Sequence, residues 1–186
     1  MLNTFVVYVE NKPGVLTRVA SLFRRRAFNI DSLTVGRTEK PEVSRMTIVV
    51  DADHDQALRV EANLYKLVNV LYVENITAKP SISRDLAMVK VSATHGVRSH
   101  VLELANVFRA RVVDVGPDSL TIEITGPEAK IDGLLEVLRP YGILEMVRTG
   151  VVAMRRGKKS EETSPAVSSG NGAATVAADD GVSYSV

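Results

Sequence analysis

Hydrophobic residues in the first half of the chain recur with two periods, one typical of strands and one typical of helices. Alternating and β-branched stretches predict strands at 3–10, 30–38, 43–51 and from 70 to about 78. Spacings of three and four between apolar residues predict a helix over 14–26 and a second helix that Asp53 can cap. The order β-α-β-β-α-β places both helices on one face of a four-stranded antiparallel sheet, the ferredoxin-like arrangement.

The same order of elements returns in the second half of the chain. The predicted elements are strands at 86–91, 112–115, 120–124, 143–147 and 151–154 and helices at 98–109 and 128–139. We therefore predict an α+β protein with two ferredoxin-like βαββαβ domains, at 2–78 and 83–157, separated by a short junction around Pro80. Residues 158–186 are poor in large apolar residues, so we expect a disordered tail there.

Composition then narrows the classes of function. The chain has 186 residues, a net charge of +1 and 45% hydrophobic residues, so nothing favours a nucleic acid or a membrane surface as partner. Cysteine is absent, which excludes disulfides, thiolate metal sites and cysteine nucleophiles. No apolar run approaches the ~18 residues of a membrane span, and the first residues lack the pattern of a signal peptide. We expect a cytoplasmic protein.

The most informative segment is the passage from the first strand into the first helix. Gly14 follows Pro13 where the helix begins, so the free N–H groups of the first turn are exposed to a carboxylate or a phosphate. Asn11 and Asn29 bracket the helix, and their amides can both donate and accept hydrogen bonds. A zwitterionic amino acid needs such an anion site with acceptors for its ammonium group beside it.

Other interpretations of these and neighbouring residues stay open. Asn11, Asn29 and Gly14 are also ordinary cap and turn residues. The basic cluster of the first helix is either solvated or binds an acidic partner; it consists of Arg18, Arg24, Arg25 and Arg26. His95 and His100 are either metal ligands or surface residues. No phosphate-binding loop, nucleophile elbow or paired-histidine motif is present, so we expect no catalysis by this chain alone.

The helix-entry segment also carries a family resemblance. Asn11-Lys12-Pro13-Gly14-Val15-Leu16 followed by Asn29-Ile30-Asp31-Ser32-Leu33 resembles the ACT domain, a small-molecule sensor of amino-acid metabolism. Segments 44–48 and 64–70 of the first half, and 86–91, 108–110, 113–115 and 148–152 of the second, extend the likeness over residues 2–157. Together they resemble the regulatory small subunit of acetolactate synthase.

The resemblance implies a non-catalytic subunit in branched-chain amino-acid biosynthesis. Such subunits activate a large catalytic subunit, expected to carry thiamine diphosphate, Mg and FAD, and confer feedback inhibition by valine; this chain would hold no cofactor. The ACT domains would form a homodimer with the effector at their interface. The implied effector-binding residues are Asn11, Gly14, Val15 and Leu16 of one chain and Asn29 and Ile30 of the other, with leucine or isoleucine as further effectors.

The sequence leaves two questions open about the partner of this chain. One is the surface that contacts the large subunit: either the second helix, with Asn63, Tyr65, Lys66 and Asn69, or the exposed side of the second domain's sheet. The other is the partner itself, since an ACT sensor could act on a different enzyme or stand alone. A DNA-binding regulator is disfavoured because no reading helix precedes the domains and the charge is near zero. An independent enzyme would need catalytic residues that the sequence does not offer.

Overall fold

The first domain of the computed structural model contains four strands and two helices. The structure describes residues 1–157, so the tail predicted at 158–186 lies outside the described residues. The elements are β1 (Leu2–Glu10), α1 (Val15–Arg25), β2 (Ile30–Arg37), β3 (Val43–Asp51), α2 (His54–Leu64) and β4 (Val70–Asn75). The strands form one antiparallel sheet in the order β2-β3-β1-β4.

The core of this domain lies between the sheet and its helices. Alternate residues of β1 and β3 face the apolar stripe of α1, whose Val15, Val19, Leu22 and Phe23 are buried as their spacing predicts. The start of α2 is fixed by a capping box, in which the Asp53 side chain accepts from the Gln56 N–H and the Gln56 side chain accepts from the Asp53 N–H.

The second domain repeats the arrangement. Its elements are β5 (Ser81–Ser92), α3 (Arg98–Val107), β6 (Arg111–Val115), β7 (Ser119–Gly126), α4 (Glu128–Leu138), β8 (Ile143–Arg148) and β9 (Val152–Arg155). The order β6-β7-β5-β8 matches that of the first sheet, and α3 and α4 cover a core of alternate β5 and β7 residues. The predicted α+β class with two ferredoxin-like units is confirmed.

Two predicted boundaries are wrong. β5 begins at Ser81, inside the predicted junction, because residues 81–84 pair with β9. The helix α2 ends at Leu64, so Tyr65, Lys66 and Asn69 lie beyond it. The Tyr65 hydroxyl accepts from the Val73 N–H at 3.1 Å and donates to the Val73 carbonyl at 2.9 Å, which holds the chain after α2 against β4.

Strand β9 and the connection from β8 that precedes it tie the two domains together. The Val151 N–H donates to the Ser32 hydroxyl at 2.9 Å, and Arg155 pairs with Glu74 at 2.9 Å. The Arg45 guanidinium donates to the Ala153 carbonyl. Ala153 is buried with two first-domain residues, Val6 and Ile76. The open face of the first sheet is therefore partly covered by the end of the second domain.

Candidate ligand-binding site

The entry into α1 forms an open backbone site. Gly14 precedes the helix with φ +81°, in the left-handed region that favours glycine. Apart from Gly14 and its chain neighbours Pro13 and Val15, no atom of residues 1–157 lies within 4 Å of the position a Cβ would take. No side chain in the described part of the chain caps this end of the helix. Among the described residues no acceptor bonds the N–H groups of Gly14, Leu16 or Thr17. These N–H groups and the positive end of the helix dipole suit a carboxylate.

Asn11 lies beside this helix entry and is held by the β2–β3 turn. Its backbone N–H donates to the Glu42 carbonyl at 2.7 Å, and its side-chain Nδ2 donates to the Pro41 carbonyl at 2.8 Å. The Nδ2 contact leaves the Asn11 Oδ1 without a donor in the part of the chain that the structure describes. This oxygen is an acceptor suited to an ammonium group.

The side chains of Val15 and Leu16 have different surroundings. Val15 is only 5% exposed and packs in the core, and its N–H donates a long hydrogen bond of 3.4 Å to the Lys12 carbonyl, so a ligand would have to compete for this N–H. Leu16 is 44% exposed and can contact an apolar side chain.

Asn29 and Ile30 lie at the opposite end of α1. Asn29 is exposed, and its side chain makes no hydrogen bond with the rest of residues 1–157. Ile30 begins β2 and packs partly on the core. Since α1 has 11 residues, roughly 16 Å of helix separates these residues from Gly14. One chain therefore does not bring the predicted site residues together.

The sequence does not predict a small polar network that lies near the start of α1. Asn69 donates to Glu10 Oε2 and accepts from the Arg18 guanidinium at 2.8 Å. The hydrogen bond from Asn69, followed by that from Lys12, holds the pKa of Glu10 below its ordinary value. No local pattern pairs Asn69 with Glu10; only the return of β4 alongside β1 does so.

Other candidate chemistry finds no support among residues 1–157. His95 and His100 are exposed, and no group of three His, Asp or Glu side chains in this part of the chain could hold a metal ion. Nor is any helix there long and apolar enough to cross a membrane.

Comparison with known proteins agrees with this architecture. The AHAS small subunit-like ACT domain matches residues 5–72, and the small subunit of acetolactate synthase matches residues 84–157. A probable acetolactate synthase small subunit of Archaeoglobus fulgidus is 52% identical over 86% of this chain and 99% of its own length. The chain belongs to the acetolactate synthase small-subunit family.

Two further relatives support this membership. The acetolactate synthase small subunit of Mycobacterium leprae is 52% identical over 84% of this chain and 93% of its own length. The crystal structure of the Thermotoga maritima small subunit has a TM-score of 0.79 and 35% identity, covering 86% of this chain and 99% of that one. Membership in the small-subunit family supports a regulatory role and implies a catalytic large subunit as partner.

Proposed function

We propose that this chain activates the large subunit of acetolactate synthase and makes it sensitive to valine. The observation that carries the proposal is the open helix entry at Gly14, where N–H groups of the first turn and the Oδ1 of Asn11, three residues earlier, have no hydrogen-bond partner within residues 1–157. The valine carboxylate would bind the N–H groups, and its ammonium group would donate to Asn11. Thiamine diphosphate, Mg and FAD belong to the large subunit in this proposal, so this chain supplies binding and not chemistry.

A homodimer would complete the site. β2 is an edge strand, and within residues 1–157 no strand pairs with its outer side. Such an edge is a template for pairing with another chain. Antiparallel pairing of two β2 strands would bring Asn29 and Ile30 of one chain towards Gly14 of the other, which resolves their separation within a single chain.

The apolar part of the proposed site consists of Leu16 and Ile30. Both side chains are partly exposed, so a branched aliphatic side chain could pack between them. One methylene changes affinity by about 1–3 kcal/mol, so we expect valine, leucine and isoleucine to be ranked and not sharply separated.

A site shared by two chains also offers a route to inhibition. Valine shifts an equilibrium only if it binds one dimer geometry better than another. We propose that the favoured geometry activates the large subunit poorly. A coupling free energy of about 1–3 kcal/mol gives a change of roughly 5- to 150-fold.

The proposal is tested with Gly14→Asp and a matched Gly14→Asn variant in valine titrations of the assembled enzyme. Asp and Asn tolerate positive φ better than most residues and differ little in size, so their comparison isolates charge. The Asp carboxylate should repel valine and raise its inhibition constant by ~10-fold or more, with a smaller effect for Asn. Normal valine inhibition of Gly14→Asp would show that the site is assigned wrongly.

The sharing of the site between chains has its own test. Gly14→Asp and Asn29→His chains should each lose valine binding when they form homodimers. In a co-expressed heterodimer both substitutions fall on one of the two sites, and the other site is intact. Calorimetry should therefore recover one valine per heterodimer. Absence of recovery would place all binding residues on a single chain and contradict the proposed dimer.

A further inference from the structure

Five cationic side chains form a patch on the helical layer of the first domain. We call this set the basic patch: Arg18, Arg24, Arg25, Arg26 and Lys66. All five are exposed. Within residues 1–157 none has a carboxylate within 4.0 Å, whereas Lys79, Arg148 and Arg155 do. This local concentration of positive charge contrasts with the net charge of the whole chain, which is only +1.

The helix dipole explains only part of this patch. Arg24 and Arg25 lie in the last turn of α1, where a cation stabilises the helix C-terminus. Arg18 lies near the other end of the helix, where a cation is unfavourable, and Lys66 lies beyond α2. Arg18 is instead held by its hydrogen bond to Asn69 at 2.8 Å.

The patch surrounds two grooves between α1 and the segment that follows α2. One groove is lined by Leu22, Arg25, Arg26, Asn63, Lys66 and Leu67. The other is lined by Thr17, Arg18, Ser21, Arg24, Arg25 and Leu67. Leu67 is partly buried and contributes to both grooves. The surface therefore combines apolar contacts with guanidinium groups, which form strong hydrogen bonds with carboxylates.

The position of the patch leaves it accessible in the proposed dimer. At about 100° per residue, Arg18 and Arg25 lie on one flank of α1, and Leu16 and Ala20 lie on the other. The hydrogen bond from Arg18 to Asn69 shows that its flank faces the α2–β4 connection. Since β4 is the sheet edge opposite β2, a second copy bound at β2 would not cover the patch.

We propose that the basic patch binds an acidic surface of the catalytic large subunit. This inference rests on the proposed function and assigns the contact surface. A protein fits better than a nucleic acid because the cations flank two grooves that share an apolar residue, Leu67. A nucleic-acid site would need a basic stripe that follows the phosphate backbone.

The test compares Arg25→Glu/Lys66→Glu with Arg109→Glu/Arg139→Glu, a control with the same charge change on exposed arginines of the second domain that lie outside its sheet. Affinity for the purified large subunit is measured at low and high salt. The patch variant should bind roughly 10- to 100-fold more weakly than the control, mainly through slower association. Its affinity should also depend less on salt.

A cross-linking experiment provides a second measurement. Carbodiimide treatment of the wild-type complex should join Lys66 to a carboxylate of the large subunit. Lys66→Arg should keep the affinity and lose this product, because it keeps the charge without the amine.

Three results would overturn the proposal. Equal affinity of the patch variant and the control would exclude this surface and leave the regulatory role intact. Failure of the wild-type chain to bind the large subunit would overturn the proposed function as well. Loss of binding to duplex RNA by the patch variant, with unchanged affinity for the large subunit, would assign the patch to a polyanion.

Discussion

At the scale of single residues, two glycines with the same left-handed backbone conformation have different surroundings. Gly14 and Gly150 have φ values of +81° and +83°. A Cβ at Gly14 would meet open space as far as residues 1–157 are concerned, whereas a Cβ at Gly150 would lie 2.6 Å from the Ser32 hydroxyl oxygen. Gly14 therefore leaves room for a ligand, and Gly150 permits a close contact between the domains.

Glu10 supplies a pH-dependent prediction at this scale. Its pKa is lowered first by the hydrogen bond from Asn69 and then by Lys12, so the ionised form is favoured in the folded state. The resulting stabilisation is present above the ordinary pKa of 4.5 and is lost as the pH falls through the lower folded pKa. Asn69→Ala should raise the pKa of Glu10 towards the ordinary value in an NMR titration of its carboxyl carbon.

The control for this titration is Lys12→Ala. Lys12 lowers the pKa of Glu10 through a hydrogen bond and through its charge, and each effect is smaller than that of the hydrogen bond from Asn69. At high salt, where the charge of the exposed Lys12 is screened, Lys12→Ala should therefore raise the pKa less than Asn69→Ala. Equal shifts of the two variants at high salt would mean that the Asn69 hydrogen bond is not the dominant cause.

At the scale of helices and strands, the sequence predicts best those features that depend on residues close together in the chain. The apolar spacing of α1 and the Asp53 cap of α2 are local, and both are found as predicted. The first four residues of β5 were missed because their partner, β9, lies about 70 positions later in the chain. The end of α2 was missed because Tyr65 bonds to Val73 on β4.

The candidate site also has parts that the sequence predicts and parts that it does not. Asn11 and Gly14 form a local motif between β1 and α1, and the structure holds Asn11 against the β2–β3 turn and places Gly14 directly before α1. The contact between Asn69 and Glu10 joins residues 59 positions apart and has no sequence signature. The predicted approach of Asn29 to Gly14 depends on a second chain, so it stays a prediction.

The carboxylate of Asp85 supplies a prediction about how β5 is held to β8. Asp85 is 4% exposed and accepts from Arg148 Nε at 2.9 Å. Asp85→Asn leaves the guanidinium without its buried counter-charge. We expect the free energy of unfolding to fall by about 1–3 kcal/mol, less than for a fully enclosed pair because Arg148 is partly exposed and keeps Asp132.

Asp132→Asn is the matched control in chemical denaturation. Its side chain is 54% exposed and binds the same guanidinium at 3.0 Å. An exposed ion pair contributes roughly 0–1 kcal/mol, so Asp132→Asn should lower the free energy of unfolding by less than Asp85→Asn does. If the two variants lose equal stability, burial is not what makes the Asp85 contact important.

At the scale of the whole molecule, β2 is the element on which both domains and the proposed dimer converge. Its first residue, Ile30, belongs to the proposed valine site, and Ser32 accepts from the Val151 N–H at 2.9 Å. Thr34 donates to the Thr149 carbonyl at 3.5 Å. A shift of β2 on valine binding would therefore act directly on the β8–β9 connection of the second domain.

Gly150→Ala tests this link between the domains. The added methyl group would sit at a residue with a strained φ and lie 2.6 Å from Ser32 Oγ. The Ser32 side chain cannot move away without breaking its hydrogen bond with the Val151 N–H. We expect the free energy of unfolding to fall by about 2–4 kcal/mol. The control is Gly14→Ala, at a position with nearly the same φ where residues 1–157 leave open space, and it should lower the free energy of unfolding by about 1–2 kcal/mol. Calorimetric unfolding should also broaden or split, because the domains would no longer unfold together. A single sharp transition at the control's temperature would show that the Ser32 contact does not couple the domains.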